Sequence, residues 1–356
     1  MRGLLPPGRP GLVLAPMQDI TDLPFMQLSA RYGGPDLFVT EYFRVHADYK
    51  LEAIILRSIT ENRSGLPVIA QMIGQDIPSL VRTARELQRH PVAGIDLNLG
   101  CPAPIVCRKD AGGGLLRYPD RIDAILGALR QNISGVNFTV KCRLGFSDPG
   151  EFSRLLEVFA RHDLDGLTVH GRTVTDGYRT AVKPHCIAAA VAALPCPVIA
   201  NGNAVDVPTA LAMLRQSNAA GLMIGRGAIR NPWLFSQLRA ALGGTPPPVP
   251  SGRDLLGYIR ALYDETAAFA PRYHPEKHVA KMKKYLCYIS QGTVPGGDAG
   301  AFEHRIRRVT TPEEFHATCT EFLDYPEAMP ATPTASGTLF CGFEELLDPE
   351  PQSPAA

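Results

Sequence analysis

Several things are scarce in this sequence, and each scarcity excludes something. Net charge is nearly absent: 36 Lys and Arg stand against 35 Asp and Glu, a formal net of +1. Binding a polyanion by global charge is therefore excluded, and any nucleic-acid contact must come from local basic patches. The eight cysteines (101, 107, 142, 186, 196, 287, 319 and 341) contain no C-x-x-C pair, and Cys101 and Cys107 lack zinc spacing. No metal site is expected. A chain of 356 residues needs no disulfide framework, so reduced thiols and a cytoplasmic location are expected. No apolar run approaches the length of a membrane span. Met1 to Pro10 carries Pro and Gly where a signal peptide needs an apolar stretch.

What is present is a repeating pattern. The hydrophobic fraction of 45% supports a sizeable core. Eight short apolar runs recur: Leu12–Ala15, Leu37–Thr40, Val68–Gln71, Gly94–Leu97, Val136–Val140, Gly166–Val169, Val198–Ala200 and Gly221–Ile224. They are β-branched or Leu-rich and bounded by Gly and Pro, as buried parallel strands are. Helical patterns lie between them, such as Ser79–Arg89, Pro119–Gln131, Phe152–Arg161 and Val207–Arg215. Eight β-then-α units predict an α/β chain with a closed (β/α)₈ TIM barrel over residues 1–242, with an open doubly wound sheet as the competitor. Residues 243–250, Gly-Gly-Thr-Pro-Pro-Pro-Val-Pro, read as a stiff linker. Asp254–Phe269, Glu276–Gln291 and Pro312–Leu323 predict a small C-terminal helical domain over 251–325. Residues 326–356 are rich in Pro, Ala, Ser and Thr, and a disordered tail is expected. One apolar-acidic segment interrupts it, Leu339–Leu347, readable as a docking peptide or as a stray hydrophobic stretch.

In such a barrel the chemistry is built where the strands end. The residues closing the eight runs are Pro16-Met17, Glu41, Gln71, Asn98, Lys141, His170, Asn201 and Gly225-Arg226. A purely structural barrel has no need of polar groups at successive strand ends, and burying them unpaired is costly, so they should face a polar ligand. Gly202 and Gly225 let backbone N–H groups approach an anion after strands seven and eight, with Arg226 as a charged partner, which points to a phosphate-bearing ligand. Lys141 suits either negative charge on a reduced flavin or a Schiff base of the aldolase kind. Cys101 lies between Gly100 and Pro102 just past a strand, on a constrained turn where a thiol can act as nucleophile or proton donor. Gly112-Gly113-Gly114 is readable as a flexible loop edge or as a long turn leading into a helix.

At these residues the chain resembles the tRNA-dihydrouridine synthase family. The matching motifs are Leu14-Ala15-Pro16-Met17, Thr40-Glu41, Gln71, Asn98-Leu99-Gly100-Cys101-Pro102, Val140-Lys141-Cys142-Arg143-Leu144-Gly145, Val169-His170-Gly171-Arg172-Thr173, Ile199-Ala200-Asn201-Gly202 and Ile224-Gly225-Arg226-Gly227-Ala228. The resemblance implies FMN in the barrel mouth, with Pro16, Met17, Gln71, Lys141, His170, Asn201, Gly202, Asn203, Gly225 and Arg226 as its contacts. It implies an oxidoreductase of CH–CH bonds that reduces a D-loop uridine of tRNA to 5,6-dihydrouridine. NADPH would reduce FMN, hydride would pass from reduced FMN to C6, and Cys101 would protonate C5. Asn98 and His170 would orient the base, with Glu41 beside them. The stretch His170–Arg179 is most similar to the bacterial C-type subgroup, which modifies uridine 16. Two positions depart from the family pattern: Asn203 stands where many members carry an acid, and Gly114 where Ala is common.

The basic residues agree with an RNA substrate. Lys277, Lys281 and Lys284 share one helical face, and Arg305 follows. Arg172 and Tyr178 would extend the RNA path from the barrel. The expected partners are tRNA and NADPH, with no membrane and a monomeric enzyme. The competing functions are a flavin oxidoreductase of free pyrimidines and a phosphate-binding aldolase using Lys141.

Overall fold

A computed structural model describes residues 1–48, 50–296, 299–334 and 339–347. Eight parallel strands form the barrel: β1 (Gly11–Leu14), β2 (Leu37–Val39), β3 (Val68–Ile73), β4 (Gly94–Leu99), β5 (Asn137–Arg143), β6 (Gly166–His170), β7 (Val198–Asn201) and β8 (Gly221–Ile224). Each pairs with the next in order, and β1 pairs with β8, from Gly11 opposite Gly221 to Leu14 opposite Ile224. The sheet is therefore closed, and the open arrangement is excluded. A two-residue strand, Phe43–Arg44, adds to the far end of β3.

Side chains alternate across each strand. Ala15 and Met223 line the mouth of the barrel. Val13, Leu37, Val39, Ile69 and Ile199 pack with them as a separate buried cluster, which fills the interior below the mouth. The opposite faces of the strands join the larger core beneath the surrounding helices. Those are α1 (Leu23–Arg31), α2 (Ala53–Thr60), α3 (Ile77–Leu87), α4 (Pro119–Asn132), α5 (Phe152–Ala160), α6 (Pro184–Ala193), α7 (Val207–Ser217) and α8 (Leu234–Leu242).

Four more helices follow: α9 (Gly252–Phe269), α10 (Pro275–Ile289), α11 (Ala299–Ile306) and α12 (Pro312–Leu323). α9 begins directly after the proline-rich stretch because Ser251 and Asp254 form a capping box. The helical unit docks on α1. Phe25 stacks on Tyr285 at 5.8 Å between centroids, and Tyr32 meets the buried Tyr258 edge-on at 5.0 Å. No helix among the described residues is long and apolar enough to cross a membrane.

The segment beyond Pro326, expected to be a disordered tail, instead lies along the protein wherever it is described. Met329 N–H donates to Pro250 O at 2.8 Å, and Ser251 bridges Ala328 in antiparallel sense. Arg230 accounts for the next stretch. Its fully buried guanidinium donates to the carbonyls of Gln291 (2.6 Å), Gly292 (3.0 Å), Pro330 (2.8 Å), Ala331 (2.8 Å) and Thr332 (3.0 Å). Composition suggested a chain with nothing to bury; one buried cation that needs acceptors supplies the missing order. Residues 335–338 and 348–356 of the expected tail lie outside the described residues.

Arg230→Met keeps the bulk and removes five donors. It should lower stability by about 3 kcal/mol or more, because buried carbonyls lose their partners. Urea denaturation measures this, and a midpoint within error of the parent would refute the role given to Arg230.

Candidate active site

The site starts with a buried acid. Asp96 on β4 is 2% exposed and faces the barrel interior. Thr139 Oγ1 on β5 donates to its Oδ1 at 2.7 Å, and Gln71 Nε2 on β3 donates to its Oδ2 at 2.8 Å. Burial raises Asp96 to about 6, with the Thr139 and Gln71 bonds opposing that rise. Gln71 Oε1 then accepts from Asn98 Nδ2 at 2.8 Å. Asn98 Oδ1 in turn accepts the backbone N–H of Gly100 (2.9 Å) and of Cys101 (3.0 Å). A continuous chain of hydrogen bonds thus runs from the barrel interior to the turn that carries Cys101.

This changes the place of two expected residues. Gln71 is fully buried with both ends of its amide engaged, and it does not line the mouth. It lies inside β3, two residues before the strand ends, and its amide orients Asn98. Asn98 does line the mouth, with its oxygen committed to the turn. The glycine stretch is part of the same support. Gly112–Arg117 is a 3₁₀ helix whose first five residues are buried, and Gly113 N–H donates to Cys101 O at 3.0 Å. It is a fixed turn packed under Cys101.

The mouth is a cavity of about 370 Å³. It brings together Pro16, Met17, Asn98, Cys101, Lys141, His170, Tyr178, Asn201, Gly202, Asn203, Gly225 and Arg226 from the expected set. No carboxylate appears among its described lining residues. Lys141 is brought down to about 8 by burial and then by Arg143. His170 is held well below its ordinary value, first by burial and then by Arg143 and Lys141, so its imidazole is neutral. Its Nδ1 is buried without a partner among the described residues. Arg143 is not free: it ties Gly100 O (2.9 Å), Thr173 O (2.8 Å) and Gly177 O (2.8 Å) together.

Arg172 was expected on an RNA path. It is fully buried beside the mouth and does not line it. Its Nε donates to Thr180 O at 2.5 Å, while Nη1 and Nη2 have no partner among the described residues. Burial, then Arg226 and Arg143, lower it to about 10. Tyr178 does reach the mouth: it lies edge-on to His170 at 6.0 Å and under Arg226 at 4.9 Å. Gly202, at φ +121, has a backbone only glycine adopts readily, which leaves its peptide bare toward the cavity. The arrangement is a cationic, glycine-edged pocket with orphaned buried donors. Such a pocket fits an anionic, flat ligand of the phosphate-bearing flavin type.

The remaining expected residues lie elsewhere. Glu41 does not line the mouth; it accepts the Asp19 N–H at 2.9 Å. Lys281 pairs with Asp22 at 2.7 Å and Lys284 with Asp19 at 3.1 Å, so these two amines fasten α10 to the barrel. Arg305 pairs with Glu321 at 3.0 Å. Lys277 lies 5.2 Å over the exposed ring of Tyr273. Tyr42, Gln18, Tyr288 and Leu339 line the mouth without having been anticipated. Tyr42 donates to Gln18 Oε1 at 3.0 Å, and its one signal in sequence is that it follows Glu41.

The family model described as "Dihydrouridine synthase (Dus)" matches residues 13–326. A probable tRNA-dihydrouridine synthase of Rhodobacter capsulatus is 35% identical over 274 residues, 74% of this chain and 82% of that protein. The tRNA-dihydrouridine(16) synthase of Neisseria meningitidis serogroup A is 29% identical over 310 residues, 85% of this chain and 92% of that protein. The tRNA-dihydrouridine synthase B of Vibrio cholerae is 34% identical over 276 residues, 76% and 85% of the respective chains.

Glu41 gives a pH test. Burial raises it to about 7, the Asp19 N–H opposes this, and Asp22 adds repulsion. The folded protein therefore binds a proton more tightly than the unfolded chain does. That contribution is full below the ordinary value of about 4.5 and is lost as pH rises through about 7. Glu41→Gln should remove this loss and be more stable than the parent at pH 8 by about 1–3 kcal/mol. Thermal melts between pH 4.5 and 8 report it; parallel profiles for parent and variant would contradict the placement.

Proposed function

This chain belongs to the dihydrouridine synthase family, and from that premise we propose how its barrel mouth works. It is a flavin-dependent oxidoreductase that reduces uridine in tRNA to 5,6-dihydrouridine. The flavin is assigned as FMN and its reductant as NADPH. The observation that carries the residue assignments is the cationic mouth, with unpartnered nitrogens on Arg172 and His170, opening beside a Cys101 turn fixed from within the barrel.

Gly202, Gly225 and Arg226 are placed at the phosphate, with Arg172 adding positive charge behind them. Pro16 and Met17 give an apolar wall, and Lys141 presents a cation where negative charge collects on a reduced ring. When bound there, reduced FMN supplies the hydride equivalent that C6 of the uracil receives. The chain does the rest. Cys101 gives its thiol proton to C5, and the Asn98 clasp keeps that thiol's backbone in one position. Neutral His170 donates a hydrogen bond without adding charge. The uracil reaches the pocket turned out of the RNA, past Tyr42 and Tyr178 on the rim.

The RNA contacts follow from what is left outward. Lys281, Lys284 and Arg305 are engaged in ion pairs, so Lys277 and Tyr273 become the first choice on the helical unit. The target is assigned to the D loop, at position 16, the position named for the Neisseria relative. Eight cysteines outside any disulfide among the described residues suit a cytoplasmic enzyme, here taken as a monomer.

Cys101→Ala tests the reading. The variant should keep its flavin and form dihydrouridine at least about 100-fold more slowly, the usual scale for losing a positioned proton donor. Dihydrouridine is mapped in unmodified tRNA after incubation with NADPH. Parent-like yield and rate from Cys101→Ala would remove the role given to this thiol.

A further inference from the structure

The family match ends at residue 326, yet the chain continues and returns to the mouth. Residues 339–346 cross beside the loops that follow β7 and β8. Asn203 Nδ2 donates to two of their carbonyls, Cys341 O at 3.1 Å and Gly342 O at 2.6 Å. Arg226 Nη1 donates to Leu339 O, and its Nη2 reaches Asn203 Oδ1 at 3.3 Å. Cys341 Sγ donates to Tyr178 O at 2.9 Å. Phe340 and Phe343, each 1% exposed, bury themselves against Val205. Gln216 Nε2 holds the far end through Leu346 O at 2.8 Å.

We propose that residues 339–346 form a strap that closes the phosphate end of the flavin pocket, latched by Asn203 and Arg226, and that this strap slows release of the flavin. The inference rests on the cofactor reading above. Three observations favour a cover over a plug. A cavity of about 370 Å³ persists with the strap in place, within the size range of ligand pockets. Only Leu339 of the strap lines that cavity. Gly202, Gly225 and Arg226 remain on its wall.

The latch depends on the chemistry of position 203. An amide nitrogen has two hydrogens and can serve two carbonyls at once, whereas a carboxylate at the same place has only acceptors and would repel both. Asn203 also holds a left-handed backbone, φ +52, which Asn tolerates better than most residues. This residue was expected to touch the cofactor. It lines the cavity, and both hydrogens of its amide face the strap, so it is also a positioning residue for that segment.

The test follows FMN release from the holoprotein by the rise in free-flavin fluorescence after dilution. Four proteins are compared: the full chain, a chain ending at residue 338, Asn203→Asp, and the two changes combined. The truncation leaves the carbonyls of residues 330–332 on Arg230. Each single change should speed release by about ten-fold or more, as expected for losing two or more hydrogen bonds. The combined protein should release flavin no faster than the truncated one, which separates the latch from simple repulsion of phosphate by the new charge. Equal release rates for full and truncated chains overturn the strap while leaving the cofactor reading intact. A truncated chain that turns over faster with unchanged release would show an inhibitory segment, and also overturns it. Failure of the full chain to bind FMN at all overturns the cofactor reading itself, and the strap falls with it.

Discussion

A carboxylate shut inside a barrel must be given donors, and much of this site follows from meeting that need for Asp96. Thr139 and Gln71 supply them from the two neighbouring strands. Gln71, once oriented, can offer only its oxygen to Asn98, and Asn98 then has only its oxygen for the turn. Each amide is fixed in one orientation by the previous link, so the conformation at Cys101 is set by a chain of bonds that begins inside the barrel. Half-satisfied networks of this kind are unstable, which makes the whole chain of bonds an all-or-none support.

The mouth above that support carries the opposite imbalance. Lys141, Arg143, Arg172 and Arg226 crowd around a neutral His170, and no carboxylate among the described residues lines the cavity. Desolvated positive charge of this sort costs stability in the empty protein and is relieved by an anion. An anion bound there would stabilise this end of the barrel. Arg230 shows the same logic without a ligand, since main-chain carbonyls from the helical unit and the tail surround it. Asn203 and Arg226 repeat it where the chain passes the mouth again.

The barrel was legible in the sequence because buried parallel strands read as short Val, Ile and Leu runs, and Gly221–Ile224 is matched to the residue. Strand ends were harder. Gln71, Asn98 and Lys141 sit inside their strands, because polar residues pointing into the barrel look in sequence like the start of a loop. Helical spacing placed Lys281 and Lys284 on one face, but not their partners Asp22 and Asp19, which lie far away in the chain. Arg172 was visible as a cation, not as a buried one. The tail has the composition of a disordered segment, and its described parts are held by the donors of Arg230, Asn203 and Arg226. Such long-range capture leaves no local periodicity to read.

The most direct measurement takes the purified protein, reduces its flavin with NADPH in the absence of oxygen, and adds unmodified tRNA while recording flavin absorbance. The account predicts that the flavin is reoxidised by the tRNA and that one new dihydrouridine appears in the D loop. Flavin that NADPH reduces but no tRNA reoxidises, while a free pyrimidine does, would contradict it.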